Sequence, residues 1–177
     1  MTTLRRSLRL SAAKNFGRIL LTVLVTWVFL TGCQGTMASA TNKGQTIKPS
    51  AQIKLVKTGP QSGQFSDGYV TVNYQYTAAG GNLQISGTVQ FGSAITMNFN
   101  SVATFDLGLL LGDAQGRVLM QQGLTAASDQ SSSSSINFNT PVLLPPRATC
   151  MAFTYNGQVF GSGGESPTSI WADPVER

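Results

Sequence analysis

Two hydrophobic patterns divide this chain. From Ile19 to Leu30 the residues are apolar except for Thr22 and Thr26. That run is about a dozen residues long, whereas a helix that spans a bilayer needs roughly 20. From Tyr69 onward the pattern changes to alternation. Residues 69–76 (YVTVNYQY) put Val70, Val72, Tyr74 and Tyr76 on one side and Thr71, Asn73 and Gln75 on the other. Residues 83–91 place Leu83, Ile85, Val89 and Phe91 together, and residues 102–112 do the same for Phe105, Leu107, Leu109 and Leu111. A period of two marks strands with one buried side. Asp113-Ala114-Gln115-Gly116 fits a tight hairpin turn, with Gly116 free to take a positive φ, and the return strand is expected over Arg117–Leu124. Ile136–Asn139 and Thr149–Tyr155 read as further strands, and Gln52–Lys57 and Ser169–Trp171 as weaker ones. The serine-rich stretch Ser128–Ser135 reads as a surface loop.

No amphipathic helix follows the apolar run, and Gly, Ser, Thr, Asn and Gln dominate the connections. About seven or eight short strands in one domain-sized segment predict an all-β fold, an antiparallel β-sandwich of immunoglobulin-like type. A small closed β-barrel is the alternative. Phe153, Tyr155, Phe160 and Trp171 are expected to pack in the core, since strands use aromatics for packing.

The N-terminus changes the picture of where such a domain sits. Residues 1–18 carry Arg5, Arg6, Arg9, Lys14 and Arg18 and no acid; the apolar run follows, then small residues and a cysteine. This is the order of an export signal. Leu30-Thr31-Gly32-Cys33 resembles the lipobox of bacterial lipoproteins. The resemblance implies a signal peptide over 1–32, removal before Cys33, a diacylglycerol thioether on the Cys33 sulfur, and acylation (palmitate among the possible chains) of the new amino terminus. Gln34 stands where an Asp would imply retention in an inner membrane, so an outer-membrane location is implied for a Gram-negative cell. Cleavage after Ala38-Ser39-Ala40 and an uncleaved anchor are the alternatives. Arg5-Arg6 is a weak match to a twin-arginine signal. Residues 34–50 are small and polar and read as a tether. The expected organisation is a signal at 1–32, a flexible tether at 33–51 and one β-sandwich domain at 52–177.

Removing the signal also changes the charge. The chain has twelve basic and seven acidic residues and a net charge of +5. Five of the basic residues and none of the acids lie in 1–32, so residues 33–177 carry seven of each and net zero. No basic patch remains for a nucleic acid. Cys33 and Cys150 are the two cysteines. With Cys33 lipidated or removed, Cys150 has no intramolecular partner, and its apolar surroundings predict burial.

Candidate chemistry is sparse. The chain has no His, which removes Ser-His-Asp and Cys-His catalysis and His-bearing metal sites. None of the lysines Lys43, Lys48, Lys54 and Lys57 completes a Ser-x-x-Lys motif. Among Asp67, Asp106, Asp113, Asp129, Glu165, Asp173 and Glu176, only Asp106 and Asp113 share a hairpin neighbourhood, short of a paired-carboxylate arrangement. Asp113 with the carbonyls of its turn could offer oxygen ligands to calcium, but the spacing of a calcium loop is absent. Gly161-Ser162-Gly163-Gly164 lacks the Lys-Ser/Thr ending of a phosphate-binding loop. The expectation is a non-enzyme without a cofactor or metal.

Ile85-Ser86-Gly87-Thr88-Val89, followed by Leu107 through Asp113-Ala114-Gln115-Gly116-Arg117-Val118-Leu119, resembles the FxLYD-type sandwich domains of bacterial envelope proteins, over residues 83–124. It departs from them where Gln90 and Phe91 follow the Gly-x-Val strand. The resemblance implies an envelope β-sandwich and supplies no catalytic residues. The expected function is a lipid-anchored, non-catalytic binding or accessory module whose partner is another envelope protein. A glycan or small-ligand module using Tyr69, Tyr74, Tyr76 or Trp171 is one alternative, and an enzyme of unknown type another.

Overall fold

Alternation along the chain becomes pairing across it in the computed structural model, which describes residues 42–161 and 166–176. Among the described residues nine strands form: β1 (Ile53–Lys54), β2 (Pro60–Ser66), β3 (Val70–Ala79), β4 (Asn82–Phe91), β5 (Ser101–Gly112), β6 (Val118–Ser131), β7 (Ser135–Leu143), β8 (Cys150–Phe160) and β9 (Thr168–Ala172). One sheet has the order β2-β3-β4-β7; the other has β1-β8-β5-β6, with β9 also paired to β8. Every named pairing is antiparallel. The two sheets do not close into a barrel, so the fold is the expected β-sandwich. The strand order is its own: β2, β3 and β4 form a meander within one sheet, where the immunoglobulin order separates the second and third strands.

Val70, Val72, Tyr74 and Tyr76 on β3 and Leu83, Ile85, Val89 and Phe91 on β4 face Phe105, Leu107, Leu109 and Leu111 on β5, and all are buried. Met151, Phe153 and Tyr155 on β8 complete the layer. Burying each such side chain contributes about 1.5–3 kcal/mol. Val102, an even-numbered residue, shares this core with the odd-numbered series on β5. The register explains it: Val102 opposes Val159 while Thr104 opposes Gln158, so one extra residue bulges and the parity flips.

The turns follow local chemistry. Gly80 and Gly81 both take positive φ and join β3 to β4, as a two-residue hairpin requires. In the β5–β6 turn, Asp113 Oδ1 accepts the N–H groups of Gln115 and Arg117 at 3.0 and 2.9 Å, and Gly116 has φ 75°. A one-turn helix, α1 (Ser93–Thr96), crosses between the sheets after β4 and buries Ile95 completely.

Four expectations are corrected here. The tether does not extend to residue 51. Ile47 is fully buried, Thr46 and Ile47 bridge to Arg117 and Val175, and Pro49–Ala51 forms a 3-10 turn. Ile47 packs with Leu110, Val118, Cys150, Ala152 and Val175 in a second small core on the outer side of the five-stranded sheet. The domain therefore includes residues from Asn42, ahead of the expected start at Gln52. The segment expected to form a strand over Gln52–Lys57 pairs only at Ile53 and Lys54. The serine-rich loop is mostly strand: β6 continues to Ser131 and β7 begins at Ser135, so backbone pairing with β5 holds residues that bury little side chain. Finally, Trp171 is 64% exposed instead of packed in the core, because it lies on β9 opposite Asn156, whose side chain points away from the sheet interface.

Candidate binding surfaces

Cys33, the expected lipid-bearing residue, lies outside the described residues, as does the whole expected signal segment. Cys150 is placed as its surroundings predicted: it is buried, with its thiol 3.4 Å from the Asp113 carbonyl oxygen that accepts from it. Burial, and after it the nearby Asp113 charge, pushes the thiol up from its ordinary range, while a backbone hydrogen bond from Gly112 works the other way. A protonated, covered thiol is a poor nucleophile.

Two of the acids, Asp113 and Asp67, serve structure. Asp113 holds its turn. Asp67, in the β2–β3 turn, accepts the N–H groups of Tyr69 and Val70 through Oδ1, both at 3.1 Å, and the buried Tyr155 hydroxyl through Oδ2 at 2.6 Å. This carboxylate ties the tip of one sheet to β8 in the other. Burial first, then the bond to Asp67 and its charge, raises the Tyr155 hydroxyl far above the ordinary phenol range. Sequence reasoning named Asp67 only as one acid among several. The Asp67-Gly68 pair between Phe65 and Tyr69 was the signal that could have located it, since Asp-Gly between two strand-like runs marks a hairpin. No group of three or more His, Cys, Asp or Glu side chains suited to a metal occurs among the described residues.

The tyrosines considered for ligand binding separate. Tyr74 and Tyr76 are buried, and Tyr76 accepts the Val56 N–H with its hydroxyl at 3.0 Å. Tyr69 and Trp171 are exposed. Trp171 stands in a cross-strand row with Asn156 on β8 and Asp106 on β5. Beside it a shallow groove of about 520 Å³ is lined by Lys48, Trp171, Asp173 and Val175, and Lys48 Nζ donates to the Asp173 carbonyl at 3.0 Å.

The outer face of the four-stranded sheet has a different character. Gln64, Asn73, Thr88 and Asn137 form one cross-strand row, and Ser62, Gln75, Ser86 and Asn139 the next. Gln64 donates to Asn73 at 2.8 Å, Gln75 to Ser86 at 3.2 Å, and Gln84 to Asn139 at 2.6 Å. No Asp, Glu, Lys or Arg stands on the outward positions of β2, β3, β4 or β7. The face offers hydroxyls and amides without charge, with Leu143 exposed at the end of β7. Among the described residues, no helix is long and apolar enough to cross a membrane. Comparison with family models, with curated proteins and with solved structures found no match.

Proposed function

We propose that this chain is a lipid-anchored protein of the cell envelope that serves as a non-catalytic binding or accessory module for another envelope component. The observation that carries the reading is the uncharged outer face of the four-stranded sheet, where three amide side chains, Gln64, Gln75 and Gln84, donate to side chains of neighbouring strands. A surface so arranged offers complementarity to a partner and little chemistry to a substrate. The lipobox at Leu30–Cys33 supports the anchor. Several acyl chains on Cys33 would hold the protein firmly, at roughly 0.8 kcal/mol per buried CH₂.

Because the domain begins by Asn42, the anchor and the fold are close. Nine residue steps from Cys33 reach at most about 30 Å at roughly 3.3–3.6 Å each. The module therefore works near the membrane surface, and its partner is a membrane protein or a component lying against the bilayer. An outer-membrane location follows from Gln34 if the cell is Gram-negative.

The test is cross-linking in native membranes, affinity purification and mass spectrometry, with Cys33→Ser as the control. A discrete envelope component that is captured reciprocally, and only by the anchored protein, supports the proposal. Equal capture by Cys33→Ser, or recovery of abundant membrane proteins alone, contradicts it.

Trp171 supports a second reading, a glycan-binding module. An exposed indole in a row with an amide and a carboxylate can stack on a sugar ring and hydrogen-bond its hydroxyls. Removal of the signal would leave Trp171 as the sole tryptophan, since the other is Trp27. Saturable fluorescence change on titration with neutral oligosaccharides, lost in Trp171→Phe binding assays, supports this reading; a flat titration counts against it.

A further inference from the structure

The sandwich is closed along one long side and open along the other. On the closed side β6 meets β7, and Thr140 Oγ1 on β7 donates to the Leu124 carbonyl on β6 at 2.8 Å. On the open side the sheets end at β2 and at β8 with its two short neighbours. An edge strand exposes unpaired N–H and C=O groups that invite another strand, and natural sheets blunt such edges with charges, prolines, bulges or brevity.

The edges of this fold differ in that respect. β6 is irregular, with register shifts beside Leu107 and Leu111 of β5 and an Asp129 φ of 53°. The edge beside β8 is divided between β1, which pairs with Cys150 and Met151, and β9, which pairs with Tyr155 through Val159. β2 carries none of these devices over its length. Its seven residues keep unbroken register with β3, from Pro60 opposite Thr77 to Ser66 opposite Thr71. It contains no charged residue, and its single proline stands at the first position, where it interrupts least. Among the described residues no strand pairs with its outer side.

Resting on the binding-module reading, we propose that β2 accepts an extended segment of the envelope partner as an added strand, one that alternates apolar residues with small uncharged polar ones. Main-chain hydrogen bonds supply affinity in strand addition, and alternate side chains supply selectivity. On the outward side, Ser62, Gln64 and Ser66 end the uncharged rows, with Gln64 bonded to Asn73 and the Ser66 hydroxyl 3.0 Å from that of Thr71. Ser, Thr, Asn or Gln on the incoming strand would continue those rows; a charged residue would enter a face that offers no counter-charge. On the inward side, Phe65 is half-buried with its ring 5.7 Å from that of Phe153, and Ala152, Phe153 and Thr154 of β8 have no strand beside them on this edge. Phe153 itself is buried, so an apolar inward residue would pack on the half-buried Phe65. The required alternation is that of β3 itself, Val70–Thr77, which already pairs with the other side of β2.

The probe is a fluorescein-labelled peptide of sequence VTVNYQYT, titrated by anisotropy against the full chain carrying Cys33→Ser. Saturable binding is expected, weakened at least about tenfold, roughly 1.4 kcal/mol, by Ser62→Lys/Gln64→Lys and unchanged by Ser169→Lys on β9. Circular dichroism confirms that each variant is folded. A photo-cross-linking residue at position 62 is expected to join the peptide, and one at position 86 is not. Absence of saturation, or equal binding by the β2 and β9 variants, overturns the proposal. So does a concentration-dependent doubling of mass that the β2 lysines abolish, which assigns the edge to a second copy. If the peptide fails while Cys33-dependent capture from membranes persists, the edge assignment falls and the module reading stands; if capture fails too, both fall.

Discussion

Replacing Tyr155 with Phe tests whether the contact to Asp67 joins the two sheets. The substitution removes one O–H···O bond of 2.6 Å and leaves the ring, which lies 5.7 Å from Phe105, in place. A hydrogen bond to a charged group contributes about 1.5–3 kcal/mol. Asp67 itself is exposed, so water can replace the lost partner, and the expected cost is near the lower end, about 1.5 kcal/mol. Asp67→Ala also removes the acceptor for Tyr69 and Val70, adding about 0.5–1.5 kcal/mol for each bond, for a total of about 2.5–4.5 kcal/mol. The double variant should cost less than the sum of the singles by about 1–2 kcal/mol, since either change alone breaks the shared bond. Urea unfolding followed by far-ultraviolet circular dichroism measures all four proteins, with m unchanged. A Tyr155→Phe cost below about 0.5 kcal/mol, or strict additivity in the cycle, would refute the reasoning.

Three further outcomes follow from the same structure. Ile47→Ala should cost about 2–5 kcal/mol, because the side chain is fully buried in the second core; a change within about 0.5 kcal/mol would return residues 42–51 to the status of a tether. Alkaline pH should destabilise the protein, since burial raises Tyr74, Tyr155 and Cys150 in the native state. The unfolded chain then releases protons that the native state keeps, so stability is complete below the ordinary thiol and phenol values, 9.0 and 10.0, and falls as pH rises through and beyond them. The slope is at most about 1.4 kcal/mol per pH unit for each group, and a urea midpoint unchanged between about pH 8 and 10.5 would contradict it. Cys150 should react slowly with a thiol reagent in the folded Cys33→Ser protein and quickly in urea; equal rates would contradict its burial.

What the sequence revealed depended on how each strand is stabilised. β3, β4 and β5 were legible because each buries one face, and period-2 alternation is the direct imprint of that burial. β2 escaped because PQSGQFS sends one large apolar side chain, Phe65, inward; its place is set by backbone pairing with β3. The extension of β6 through Ala126–Ser131 escaped for the same reason, as its pairing with β5 runs beyond the apolar residues. Ile47 was hidden among Thr, Gln and Lys, and only the tertiary contact with Leu110 and Val175 identifies it as core. Cys150 was legible from an apolar neighbourhood. Trp171 was misread because residue type indicated packing, while the register of β9 directs the ring to the outside. The uncharged face was present in the polar half of every alternating run, but its unity depends on which strands are neighbours, and single strands do not carry that information.

The most direct test of the central claim is the intact mass of the protein extracted from native membranes. The expected species is a chain that begins at Cys33, with the mass of residues 33–177 increased by a diacylglycerol and an amide-linked acyl chain. An unmodified Cys33, a chain beginning at residue 41, or a full-length chain that retains residues 1–32 would contradict a lipid-anchored module held close to the bilayer.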